Sequence, residues 1–523
     1  MKENTAISDA LKENSGLVEK DWEDGRIKLY IEEKASEVSG WKNFINEGAT
    51  EKIFEKNGVI ASALLFVPVG TNQYMILTFG QGFSKLRESK LERDFGLKVV
   101  LNSVDHKKIR SLDTVKHDEI TIHKKTQTSL QSEVSAFGID IESDMLREIT
   151  GTPTNTRFAT DVTGRHALAI NCQLEIAGIL DKCKEIFDVY QQDGYKTHFS
   201  WVDNIRHVED TEIIDDLDNI LLEDVKKTLE QIVQIDLHLA PPEIVDYSKV
   251  AFVRYRGFRS RELYETLHID DYIKMLIEKS IEVEDIKTFK KHKVEFLDDD
   301  ELEINSWCIY DCMVYETEYE DERYILSDGK WYRISKSLSD EVDEFFGTLT
   351  DPLSLPNAYV DENEEGYNER IKNNLKKDDY ICFDRKIIKL PEWASGIEPC
   401  DFFSPDKQFI HIKNDASSSK LSHLFNQGVV SGESFLREQE FRKQFKDKAR
   451  RMNSDIARVL PDVRQRPELN EYTVVFAVMR KPYSDGSYGL PFFSKVSLKN
   501  ASQRLTDLGY KIGFSWIAKI ENR

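Results

Sequence analysis

Residues 397–431 read IEPCDFFSPDKQFIHIKNDASSSKLSHLFNQGVVS. Two apolar runs, EPCDFF and QFIHIKN, flank the turn tripeptide Ser404-Pro405-Asp406, which predicts two strands joined by a tight turn. After Asn414 the apolar residues fall at helical spacing, so a helix opens near Ser418-Ser419. Residues two apart in a strand share a face, so His411 and Lys413 project together, and the hairpin brings Asp401 back toward Lys413.

Working outward, GYNERIKNNL predicts a helix upstream and DDYICFDRKIIKL a strand. Downstream come a helical stretch to Met452, the strand EYTVVFAVMR, the helix LKNASQRLTDLG and the strand KIGFSWIA. The order is α-β-β-β-α-β with an added helix and strand. The expected fold class is therefore α/β, as part of a mixed α+β multidomain chain.

At 523 residues and 60.7 kDa the chain exceeds what one core usually serves. We read three domains. Residues 1–240 form a mixed α/β domain for recognition or assembly, in which ASALLFVPVG and NQYMILTFG make a hairpin across Gly70-Thr71-Asn72 and LEIAGILDKCKEIFDVYQQ an amphipathic helix. A helix over 219–238 is expected to stop at Ala240-Pro241-Pro242. Residues 241–352 form an α+β domain with an Asp328-Gly329 hairpin, bounded by Asp351-Pro352-Leu353-Ser354-Leu355-Pro356. Residues 353–523 form the third.

The net charge of −22 opposes polyanion binding by the whole surface. From Lys413 onward, however, twenty basic residues face twelve acidic ones, so a nucleic-acid partner is expected to dock there. The remaining acid runs read as solvated helix faces or loops. The start of the chain lacks a basic segment followed by an apolar run, and no stretch is apolar enough for a membrane span; the expectation is a cytoplasmic protein without a membrane partner. Six scattered cysteines without clustered histidines read as free thiols rather than a zinc site. Gly80 and Gly82 form a G-x-G without the residues of a phosphate loop and read as turn chemistry. The stretch FVRYRGFRSRELY, with Arg254 and Arg256, alternates cations and rings, a pattern that binds phosphate and stacks bases or else makes a solvated edge strand.

Metal-dependent phosphodiester cleavage needs carboxylates to hold Mg2+ (or Mn2+) and a cation near the scissile phosphate. The order of elements and the D-x₁₁-K spacing from Asp401 to Lys413 resemble the restriction-endonuclease-like, or PD-(D/E)XK, superfamily. The resemblance implies that Asp401 is the metal-binding aspartate of the second strand and Lys413 the catalytic lysine. His411 stands where the superfamily carries Asp or Glu, and is expected there to position the water or the phosphate. Either the second carboxylate has migrated, Glu398 being the nearest candidate metal ligand, or the site is inactive. Glu365, on the preceding helix with Tyr367 and Asn368, resembles the first-helix acid of such nucleases. Ser419, His423 and Gln427 lie on the following helix, where they could meet phosphate.

The segments FGQGFSKL, ERDFGLKVVLN, ITGTP, APPEIVDY, the 397–431 run and PFFSKVSL together resemble a sporadically distributed bacterial family of unknown function carried on mobile elements and in defence islands. That resemblance implies a role against phage or foreign DNA. The expected function is a restriction-type nuclease cleaving DNA. A catalytically inactive nuclease-like sensor and an RNA-cleaving toxin are the alternatives, and assembly as a homo-oligomer stays open.

Overall fold

The computed structural model describes residues 1–22, 24–35, 59–117, 121–230, 237–353, 355–374, 380–390, 393–414, 418–482 and 486–521. The fold is mixed α/β, with several sheets. Two compact units divide it: one comprises Met1–Thr114, Lys124–Ile139 and Leu146–Ser200, the other Val115–His123, Asp140–Met145 and Trp201–Arg523. The expected boundaries near residues 240 and 352 both fall inside the second unit. Among the described residues no helix is long and apolar enough to cross a membrane.

The first unit contains a four-stranded antiparallel sheet, running in order Val18–Lys20, Lys28–Ala35, Val59–Gly70 and Gln73–Gly80. The last two strands are the expected hairpin, with Asn72 at φ 54° in its turn. Gly80 and Gly82 pack against the neighbouring strand: a Cβ would lie 2.1 Å from the Ala61 carbonyl oxygen at Gly80, and 2.6 Å from that of Ala63 at Gly82. Close backbone approach accounts for both glycines. The amphipathic helix spans Ile179–Tyr190 and buries Ile179, Leu180, Cys183 and Ile186.

In the second unit, the helix expected over 219–238 runs Thr211–Leu229, and Leu237–Leu239 is a strand paired with Met313–Tyr319. The latter continues into Glu322–Ser327 and Lys330–Ile334 through Asp328 and Gly329, whose φ values of 58° and 65° are the paired left-handed residues a two-residue hairpin turn requires.

The C-terminal sheet has six strands in the order Ala358–Tyr359, Lys511–Ile520, Thr473–Arg480, Gln408–Asn414, Phe402–Phe403 and Ile381–Cys382. The first three junctions are parallel and the last two antiparallel. Alternation along the strands divides the core between two faces. Phe402, Ile410, Ile412, Val475 and Ala477 meet Tyr367 and Ile371 of helix Glu364–Asn374 on one face. Phe403, Phe409, Val474, Phe476 and Val478 meet the helices Ser418–Arg437, Gln439–Met452 and Phe492–Leu508 on the other. Gly428 allows a close helix approach to this sheet, since a Cβ there would lie 2.5 Å from the Phe476 ring.

Two expectations change in detail. The strand expected over DDYICFDRKIIKL is interrupted by a turn, Phe383–Lys386, that leaves the short strands Ile381–Cys382 and Ile388–Leu390. The long helical stretch after Ser418 breaks at Glu438 into two helices.

Candidate metal centre

Asp401 ends the loop before strand Phe402–Phe403. Its backbone N–H donates to the Ile410 carbonyl at 2.9 Å, which fixes it against the adjacent strand. Its side chain is buried; one carboxylate oxygen accepts from the Ile412 N–H at 2.7 Å and the other from Asn368 Nδ2 at 3.0 Å. The Asp401 carbonyl in turn accepts from Phe383 N at 2.7 Å and Asp384 N at 3.2 Å. The turn carrying Asp384 is thus fastened to Asp401 by main-chain bonds.

Carboxylate oxygens of Asp384, Glu398 and Asp401 all lie within 4.8 Å of one another. Such crowding of like charge is unfavourable for three ionised acids. Burial, then the charges of Glu398, Glu364 and Asp384, push the Asp401 carboxyl well above the ordinary aspartate range. Burial also raises Glu398, with Asp384 and Glu364 adding to it, while the Arg385 N–H and the charge of Lys413 pull the other way. Asn368 is fully buried, and among the described residues its Oδ1 has no hydrogen-bond partner, although its Nδ2 is bonded to Asp401. A buried acceptor without a donor costs stability unless something positive meets it. The three carboxylates make an oxygen donor set, the kind that suits a hard divalent cation such as Mg2+ or Mn2+.

Lys413 lies at the rim. Its Nζ pairs with Glu364 at 3.1 Å, and the same carboxylate accepts from the Asn414 N–H at 3.4 Å. The first-helix acid that reaches the lysine is Glu364; Glu365, its neighbour, pairs with Arg385 at 2.5 Å on the exposed side.

A model of a family of unknown function, DUF6119, matches residues 1–518. The chain belongs to this family. No curated protein and no solved structure gave a match.

The other residues singled out in this DUF6119 chain are distributed as follows. His411 points away from the acids into the core: its Nε2 lies 3.3 Å from the Ser431 hydroxyl and its ring packs near Phe476. Burial lowers it to about 3, so it is neutral at physiological pH. His423 is exposed and Gln427 half-buried on helix Ser418–Arg437, and neither bonds to the acid cluster among the described residues. Ser419 is in the first turn of that helix, and its side chain lies outside the described residues.

Arg254 and Arg256 belong to a different sheet, on the strand Phe252–Arg256. Arg254 is held by Glu295 at 2.8 Å and by Glu301 at 3.5 Å; Arg256 also pairs with Glu295 at 2.8 Å. Tyr255 between them is buried on the opposite face, while Phe252, on the face of both arginines, is half-buried.

Sequence reasoning named Asp401, Glu398 and Lys413 and missed Asp384 and Glu364. For Glu364 a signal existed: it shares a helical stripe with Tyr367, Asn368 and Ile371, the buried face. For Asp384 there was none, because the turn that carries it sits inside an apparently continuous strand pattern.

Proposed function

We propose that the chain is a metal-dependent nuclease that cleaves DNA, with Asp384, Glu398 and Asp401 as the metal ligands and Lys413 as the cation facing the phosphate. The observation that carries the reading is the convergence of these three acids, with Asp401 buried and held by Asn368 Nδ2 and the Ile412 N–H. When bound, a divalent cation would supply positive charge against the scissile phosphate and make a water easier to deprotonate. Lys413 would add positive charge where the transition state accumulates negative charge, with Glu364 holding its ammonium in place.

The reading draws further support from the C-terminal order of helix, antiparallel strands, helix and parallel strand, which is the order expected of a restriction-endonuclease-like core. His411 favours an inactive sensor only if no other acid replaces it, and Glu398 and Asp384 provide that replacement. We further propose a restriction or antiphage role, with the part before residue 353 recognising the target.

Purified protein is incubated with plasmid, phage DNA and total RNA in Mg2+ or Mn2+, beside Asp401→Asn and Lys413→Ala. Asn at 401 retains an acceptor for Ile412 N–H, and Asn368 can rotate its amide to meet it, so folding is expected to survive. DNA cleavage lost in both variants is the expected result. Cleavage of RNA alone would favour the toxin, and cleavage of neither, with Mn2+ bound, would leave the inactive sensor.

A further inference from the structure

Arg385 adjoins the acid cluster without belonging to it. It occupies the turn Phe383–Lys386, which closes on itself through Lys386 N to the Phe383 carbonyl at 2.8 Å and is bound to the main chain of Asp401. Arg385 adopts φ 59°, a left-handed conformation that non-glycine residues rarely take. In this conformation its backbone N–H donates to Glu398 Oε1, while its guanidinium reaches Glu365 in the first turn of helix Glu364–Asn374. The backbone is therefore anchored at the acids, and the charged end is free to change partner.

The ion pair to Glu365 is exposed at both ends, with side chains 66% and 53% accessible. Such a pair contributes little and exchanges readily. A guanidinium presents parallel donors that match two phosphate oxygens. Lys413, the cation placed at the scissile phosphate, is held deeper by Glu364, with its side chain 21% accessible, so Arg385 is the more outlying of the two. A polyanion approaching a chain of net charge −22 and three clustered acids needs a cation at the mouth, and Arg385 supplies it.

We propose that Arg385 binds the phosphodiester of the incoming DNA strand, exchanging Glu365 for phosphate, and that Glu365 is a competing anion that weakens binding. The inference rests on reading the acids as a metal site.

The test measures a fluorescein-labelled DNA duplex by anisotropy over a range of salt, with Ca2+ replacing Mg2+ to slow cleavage, and Mn2+ binding by calorimetry on the same proteins. Arg385→Ala and Arg385→Gly both keep the backbone N–H to Glu398, and glycine suits the left-handed turn, so lost binding in Arg385→Gly is not lost folding. Both are expected to weaken duplex binding by about tenfold and to reduce the slope of log K against log salt by about one. Glu365→Gln is expected to tighten it, and Mn2+ binding is expected to stay as in wild type in all three. Wild type that binds no duplex, or binds it equally well in both Arg385 variants, overturns the phosphate role while the metal site stands. Wild type that binds no Mn2+ overturns the metal-site reading instead.

Discussion

His411 and Asp401 are both buried at the same hairpin, yet burial acts on them in opposite senses. For His411 the neutral form is favoured: its folded value of about 3 lies below the ordinary 6.5. As pH falls through 6.5 the unfolded chain takes up a proton that the folded chain refuses, so stability present at neutral pH is lost on acidification, by about 1.4 kcal/mol per pH unit. His238, lowered to about 4 by burial, acts in the same direction. We predict that His411→Leu reduces the acid slope by one proton between pH 6 and about 4.5 without removing it, as read by urea unfolding. Ser431 retains the Gly428 carbonyl at 3.2 Å, so the substitution leaves that hydroxyl bonded. Cleavage at neutral pH is expected to persist, because His411 does not face the acids; a variant as inactive as Asp401→Asn would return His411 to the site. At this scale the sequence identified residues whose partners lie within one hairpin. Alternation groups His411 with Lys413, but the short His411 ring stays among Ser431 and Phe476, while the long Lys413 side chain, near the strand end, reaches Glu364.

At the scale of elements, helix Thr211–Leu229 shows how an acid run can be more than a solvated surface. Tyr310, Tyr315 and Tyr319 donate to Asp218, Asp224 and Asp216 at 2.5, 2.6 and 2.6 Å. Asp218 is buried and also accepts from Trp331 Nε1 at 2.9 Å and pairs with Lys290 at 3.1 Å. In Asp218→Ala, Lys290 is exposed enough to regain water, so the penalty falls on the buried Tyr310 and Trp331 donors, about 1–3 kcal/mol each. A fall in the urea midpoint at unchanged slope is the expected result; a midpoint within error of wild type would mean that water replaces the carboxylate. The Asp328-Gly329 hairpin was legible because its turn chemistry is local. The break at Glu438 was not, because no glycine or proline marks it. There the buried Arg442 of the second helix donates to the Phe435 and Leu436 carbonyls, both at 2.9 Å, ending the first helix with a side chain from the next.

For the whole molecule, proline-rich breaks marked where elements stop, not where cores stop. Phe492, Phe493 and Val496 of helix Phe492–Leu508 share one cluster with Ile205, Val314, Ile325 and Tyr332, which joins segments that sequence reading assigned to three domains. Contacts over such separations leave no local pattern. The same unit holds the acids, so its stability should report on them. Without a cation, the Asp401 and Glu398 carboxyls lie above their ordinary values of 3.8 and 4.5, so the folded chain holds protons that the unfolded chain releases. Their contribution is therefore fully present at low pH and is lost as pH rises from those ordinary values through the raised folded ones. This is the opposite sign to His411, and it applies in EDTA. A divalent cation replaces those protons, so its stabilisation should grow with pH. At free Mn2+ a hundred times its Kd the gain would be about 2.7 kcal/mol. We predict a Mn2+-dependent rise in Tm at pH 8 that shrinks at pH 5.5 and is absent in Asp401→Asn, measured in EDTA and in Mn2+ by differential scanning calorimetry. An equal rise in wild type and variant would mean that the ion binds elsewhere, and no rise at pH 8 would mean that the cluster does not take up the metal.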